Sequence, residues 1–271
     1  MENLLFGISG LPLGGKKPMN YAGGIHYLRE AGLDAMELLF VRTVNVTANN
    51  GPQLLKAKDD KAFYLSAHGS YYINLNAQDE EKQQQSLGRI LAAVDGLERV
   101  KGRSLVFHPG FYLKDSPEMA YEKVKANLKK LPSGNIHYRL ETTGKKTQFG
   151  TLEELVHLCA EVPSCRLCID FAHIHARNNG SLKSYDDFAR ILRYVEDKLG
   201  RSALLDMHIH IAGIRYNEKG EICHLPLKES DFNYRACLKA LKDFGAKGCV
   251  ISEGPLLEKD ALLLKRTYKE V

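Results

Sequence analysis

The stretch HYRLETTGKKTQFGTLEELVHLCAEVPSCRLCID, residues 137–170, decides the fold. It opens with one apolar run, His137–Glu141, and closes with another, Arg166–Asp170, and each run ends on a carboxylate. Between them Thr151 and Glu154 have the spacing of a capping box, in which each side chain satisfies the other's backbone amide. A helix is therefore expected over Thr151–Ala160. Strand, helix, strand in so short a segment reads as a βαβ unit, which requires parallel strands.

The same unit recurs in both directions along the chain. Strands are expected at Leu4–Ser9, Ala35–Phe40, Phe63–His68 and Ser104–His108, then at Leu204–Ile211 and Gly248–Glu253. Helical patterns fall at 20–31, 80–101, 117–130, 184–198 and 234–244, and a last one closes the chain. The clearest is 80–101, where Leu87, Ile90, Leu91, Val94 and Leu97 keep a helical spacing. From the third strand onward the runs end on or beside His68, His108, Glu141, Asp170, the pair His208 and His210, and Glu253. A flat doubly wound sheet would present a few strand ends at one switch point. Only a closed ring aims so many strand ends at one centre. The expectation is an α/β protein, a (β/α)8 TIM barrel in one domain spanning 1–271, with a metal site at the carboxyl ends of its strands. The 271 residues suit a fold that needs about 250.

Composition narrows the partners. Hydrophobic content of 44% with 26% charged residues is that of a soluble globular chain, and no apolar run approaches the roughly 20 residues of a membrane helix. The opening MENLLFGISG lacks the basic region and cleavage site of a signal peptide, so a cytoplasmic protein with no membrane partner is expected. The six cysteines show no disulfide spacing, and Cys165-x-x-Cys168 opens a strand that would send the two to opposite faces. The net charge of +5 permits an anionic partner without demanding one. Lys16-Lys17 and Lys145-Lys146, just past strand ends, are compatible with a phosphate-bearing substrate. No glycine-rich phosphate loop follows a strand, which argues against a nucleotide cofactor.

Seven of the ten histidines, His68, His108, His173, His175, His208, His210 and His224, lie at or just beyond strand ends. His26, His137 and His157 sit within elements or at a strand start and read as structural. Imidazoles suit zinc and similar metals, and carboxylates bridge two ions. So many at one rim exceed the needs of a single tetrahedral zinc, and point to a multi-metal hydrolytic site.

The motifs SAHGSYYINL (66–75), VFHPG (106–110), LETTG (140–144), IDFAHIHAR (169–177), MHIHIAG (207–213) and ISEGP (251–255) resemble those of the endonuclease IV family of apurinic/apyrimidinic endonucleases. The resemblance implies a barrel holding three zinc ions, of which two to three are expected here with manganese as an alternative. It implies an enzyme that cuts DNA on the 5′ side of abasic sites, and a monomer is expected. By motif, His68 and His108 would bind a first zinc that Glu141, the key catalytic residue, bridges to a second. Asp170, His208 and Glu253 would complete the second, and His173 and His224 would hold the third. Tyr71 and Tyr72 match the loop such enzymes press into DNA at the lesion. One departure stands out: the family has an Asp two residues before the last His, where this chain has Ile222. Glu221, Cys223, His175 or His210 are the possible replacements, and a weakened third site is expected. Two other functions fit the same residues: a sugar isomerase or epimerase built on a similar barrel, or a nucleic-acid-binding protein whose third metal site has decayed.

Overall fold

The computed structural model describes residues 3–58 and 63–271. Its strands are β1 (Leu4–Ser9), β2 (Ala35–Leu39), β3 (Tyr64–His68), β4 (Ser104–Phe107), β5 (Gly110–Phe111), β6 (His137–Glu141), β7 (Gln148–Phe149), β8 (Cys165–Asp170), β9 (Met207–Ile211), β10 (Gly213–Asn217), β11 (Gly220–Leu225) and β12 (Gly248–Ser252). Eight of them close a barrel in the order β1-β12-β9-β8-β6-β4-β3-β2. Every neighbouring pair is parallel, including the closing pair of β1 with β12. The (β/α)8 barrel expected from the recurring βαβ unit is therefore the fold.

Helices ring the barrel where the periodicity places them, and local chemistry sets their starts. Thr151 and Glu154 form the capping box, with Thr151 Oγ1 accepting from the Glu154 amide and the Glu154 carboxylate accepting from the Thr151 amide. Asp79 caps Glu80–Arg99, and Ser116 caps Pro117–Leu128, which has Pro at its start. The apolar faces of these helices pack on the outside of the strands in one continuous core.

The structure differs from the sequence reading in four places. Residues 204–206 do not extend β9, because Arg201–Leu204 forms a short helix and the strand starts at Met207. The polar stretch after β2 contains a helix, Gly51–Lys58. A further helix, Phe171–Arg177, begins directly at the end of β8 with Asp170 as its cap. Finally, two small antiparallel two-stranded sheets, β5 with β7 and the hairpin of β10 with β11, accompany the barrel. Short segments of this kind carry too few apolar residues to show a period.

The ring closes tightly at Gly248, the first residue of β12, which has φ +127° and lies against Met207. A Cβ there would run into the Met207 carbonyl. Gly248→Ala is expected to cost about 1–3 kcal/mol through overpacking and a further ~1–3 kcal/mol through backbone strain. The urea midpoint of unfolding should fall accordingly, and an unchanged midpoint would show that the strand relaxes freely.

Candidate metal centre

Strand period and barrel closure carry the polar side chains to one end. His68 and Glu141 are the last residues of β3 and β6, Asp170 is the last of β8, His108 and Glu253 follow β4 and β12, and His210 lies near the end of β9. Glu141, Asp170 and His210 are fully buried. A buried charge is stable only when paired, and here pairing is dense.

Glu141 stands at the centre. Its Oε2 lies 3.0 Å from His68 Nε2 and 2.8 Å from His108 Nε2. Its Oε1 lies 3.1 Å from His210 Nδ1 and 3.4 Å from His173 Nδ1. Burial raises its pKa, but His108 and His210 outweigh that and hold the carboxyl well below the usual range. Burial disfavours the charged form of His68, yet the Glu141 carboxylate prevails and lifts its pKa to about 9. Asp170 moves the other way: burial pushes it up, with His173 and His224 opposing.

Around Glu141 the donors form three linked groups, each with its ligand atoms within 4.8 Å of one another: His68, His108 and Glu141; Glu141, Asp170, His210 and Glu253; and Asp170, His173 and His224. Glu141 belongs to the first two and Asp170 to the last two. Asp170 meets His173 through helix geometry, since Asp170 Oδ1 accepts from the His173 amide at 2.7 Å as the helix begins. The other oxygen, Asp170 Oδ2, is buried with no hydrogen-bond partner.

Three imidazoles share a device. Nδ1 of His68 faces the Gly69 carbonyl at 2.9 Å, Nδ1 of His173 the Thr142 carbonyl at 2.9 Å, and Nδ1 of His224 the Glu253 carbonyl at 3.2 Å. A carbonyl only accepts, so each Nδ1 donates, and in the neutral ring Nε2 presents its lone pair. His173 Nε2 and His224 Nε2 consequently face each other at 3.4 Å, two lone pairs in opposition. Such an arrangement is stable with a cation between the rings or with one ring protonated. Together with the orphaned Asp170 oxygen, it shows that the donor set fits divalent ions.

Glu221 stands beside the third group, with Oε2 at 3.5 Å from His173 Nε2. The reason is a β-bulge. In the hairpin Arg215 pairs with Cys223 and Tyr216 with Glu221, leaving Ile222 as the extra residue. The inserted residue shifts the alternation, so Glu221 and His224 share the inner side, whereas Ile222 and Cys223 are exposed. Glu221 therefore faces the third group where Ile222 does not.

His208 requires a correction. It does not enter the group of Glu141, Asp170 and Glu253, where His210 stands; the ligand atom of His208 falls instead in a fourth group, with Cys168 and His210. Both point into the barrel, but His208 is one inward layer deeper, with Nε2 2.9 Å from Glu37 Oε2 and Nδ1 against Cys249 Sγ. Alternation identifies inward residues and says nothing of depth. His175 also lies elsewhere, held between Asp231 and the Leu182 amide. Glu37 is fully buried on β2, and nothing in AMELL marks one acid as interior.

A cavity of about 480 Å³ opens over the groups, lined among others by Tyr71, Phe111, Lys145, Gln148 and Ser70. Tyr71 and Tyr72 are 64% and 67% exposed on the loop after β3. The ring of Tyr71 lies 5.9 Å from that of His68, and the Arg89 guanidinium sits 5.9 Å from that of Tyr72. Among the described residues no helix is long and apolar enough to cross a membrane.

Comparison with known proteins places this geometry. The chain is 45% identical over 274 residues to an uncharacterized protein of Methanocaldococcus jannaschii, covering 99% of this chain and 98% of the relative. It is 24% identical over 161 residues to a probable endonuclease 4 of Clostridium botulinum, covering 57% of each. Two solved structures share the fold at 20% identity and 98% coverage of this chain. A D-tagatose 3-epimerase-like protein superposes with a TM-score of 0.73 over 96% of its length, and endonuclease IV from Thermus thermophilus with 0.72 over 98%. At that identity both speak for the barrel and not for the reaction. The profile of the xylose isomerase-like TIM barrel matches residues 25–267, and the chain belongs to that family.

Proposed function

We propose that the protein is a metal-dependent phosphodiester hydrolase of the endonuclease IV type, cutting DNA on the 5′ side of abasic sites. The observation that carries the proposal is the chain of three donor groups linked by Glu141 and Asp170. A sugar epimerase working through one ion would need only the middle group, Glu141, Asp170, His210 and Glu253. The flanking imidazoles His68 and His108 on one side, and His173 and His224 on the other, suit a row of ions along a phosphodiester. The distant relatives named endonuclease 4 support the same reaction class.

Ions held there would supply Lewis acidity and a hydroxide source near neutral pH. The protein's own residues supply the rest. Glu141 ties the first group to the second, and its full burial keeps that geometry rigid. Lys145 gives the cavity a cation for a non-bridging phosphate oxygen. Tyr71 and Tyr72 offer aromatic faces to unstacked bases at the lesion, and Arg89 beside Tyr72 adds a charge toward the backbone. Under this reading Glu221, His173 and His224 hold the third ion, while His210 takes the place first given to His208.

Purified protein is expected to carry two to three zinc or manganese ions and to nick a duplex containing an abasic site analogue. Prolonged chelation should abolish cutting and either metal restore it. A preparation that epimerises ketohexoses with one ion per chain and leaves abasic DNA intact would overturn the proposal.

Glu141→Gln should lose cleavage by more than the ~100-fold seen when merely supporting residues of a metal site are removed. Its circular dichroism should match the parent. The double variant Tyr71→Ala, Tyr72→Ala should keep its metal content and bind abasic duplex more weakly, by about 1–3 kcal/mol for each base no longer stacked. Equal affinity of parent and variant would remove the tyrosines from recognition. Glu221→Gln should weaken the most labile ion on the order of tenfold to a hundredfold, the range for groups supporting a metal site. Ile222→Asp, on the outer side of the hairpin, should not tighten it. Competition with a fluorescent chelator measures both, and a tighter ion in Ile222→Asp would restore that position to the site.

A further inference from the structure

Glu37 is the one acid on β2, a strand that contributes no member to the three donor groups. It is fully buried inside the barrel. Its Oε2 accepts from Ser66 Oγ at 2.9 Å and lies 2.9 Å from His208 Nε2. Its Oε1 lies 3.1 Å from His210 Nε2. That last contact falls short of hydrogen-bond geometry, and among the described residues neither Oε1 nor His210 Nε2 has a hydrogen-bond partner, with Cys168 also beside the His210 ring. Two unsatisfied buried polar atoms 3.1 Å apart are complementary, one able to donate and the other to accept.

We propose that Glu37 is a positioning residue for His210, accepting its Nε2–H so that Nδ1 is the nitrogen offered to the metal group. His210 Nδ1 lies 3.1 Å from Glu141 Oε1 and 3.5 Å from Glu253 Oε2, on the donor side of the ring. His68, His173 and His224 each fix their ring through a backbone carbonyl on Nδ1 and offer Nε2. His210 is turned the other way round and is fixed by a carboxylate, which also raises the ring's strength as a ligand.

His208 has its place in the same device. Its Nδ1 side meets Cys249 Sγ at 3.2 Å and Tyr64 Oη at 3.5 Å, and Tyr64 in turn donates to Ser104 Oγ. With Ser66 it holds one oxygen of Glu37, leaving the other for His210. A carboxylate suits the post because it accepts from both imidazoles at once. A Gln there has one acceptor oxygen, and its NH2 would confront one of the two N–H groups.

The proposal rests on His210 being a metal ligand and not on the substrate. Its test therefore contains no nucleic acid, and failure of the nuclease reading would leave it untouched. Full-length protein with 15N-labelled histidine and loaded with zinc is examined by NMR, the His210 signals being those lost in His210→Gln. Coordination through Nδ1 is expected, with an Nε2 proton shifted downfield and slow to exchange. Coordination through Nε2 in the unmodified protein would overturn the proposal without any variant. In Glu37→Gln the proton should move upfield and exchange faster. Zinc at this group should bind about 10–100-fold more weakly, as is usual on loss of such a support. Glu37→Asp should recover part of both. An unchanged proton signal and zinc affinity in Glu37→Gln would refute the role.

Discussion

Everything at the carboxyl end of this barrel depends on burying the Glu141 carboxylate among histidines. Alone, an ionised carboxylate at such a depth would be untenable, and its proton affinity would rise until it neutralised. Four imidazoles within 3.4 Å, two on each oxygen, reverse that balance. The same surroundings shift His68 upward and leave one oxygen of Asp170 without a hydrogen-bond partner. A cluster with this much matched and unmatched charge is costly for the fold, and such costs are typical of a working site rather than of a structural core.

The imidazoles are not interchangeable within that cluster. Three are pinned by peptide carbonyls, so their orientation follows directly from the backbone at Gly69, Thr142 and Glu253. His108 turns its Nδ1 toward the Gln148 side chain at 3.4 Å, and the fifth, His210, sits within β9, where neighbouring strands consume the carbonyls in their ladder. Only a side chain can reach it there, and Glu37 Oε1 lies 3.1 Å from its Nε2. A second layer of polar groups, Glu37, His208, Ser66, Tyr64 and Ser104, thereby extends the site downward into the barrel. At the level below, Arg139 joins the Ser104 hydroxyl to Asp206 and to two carbonyls. The barrel's interior is thus polar over much of its depth, and the outer shell of helices supplies most of the apolar packing.

The barrel is a fold that serves several reactions, and solved structures that share it include both a D-psicose 3-epimerase and an endonuclease IV. Function has to come from the site. What separates the two readings is the presence of donor groups on either side of the central one, together with exposed tyrosines and a lysine at the mouth. These features lie on loops and strand ends, where a shared scaffold leaves room for new chemistry.

The barrel itself was legible in the sequence because strand and helix have different periods and because a closed ring alone explains polar residues at so many strand ends. The capping box at Thr151 and Glu154 was equally legible, since its two halves lie three residues apart. Seven of the eight residues proposed as ligands come together in the structure: His68, His108, Glu141, Asp170, His173, His224 and Glu253. Each sits at a strand end or within one turn of it, where sequence position and location in the barrel coincide. The exceptions have physical causes. His208 and His210 share an inward face, and which of them lies at the depth of Glu141 is set by the stagger of β9 against β8 and β12. Glu221 rather than Ile222 faces the third group because a bulge shifts strand parity by one, and a bulge is a property of how two strands pair. Glu37 faces inward toward partners 29 and 171 residues away in the chain. Local pattern determined what each strand carries to the ring; only the closed barrel decided which of those groups meet.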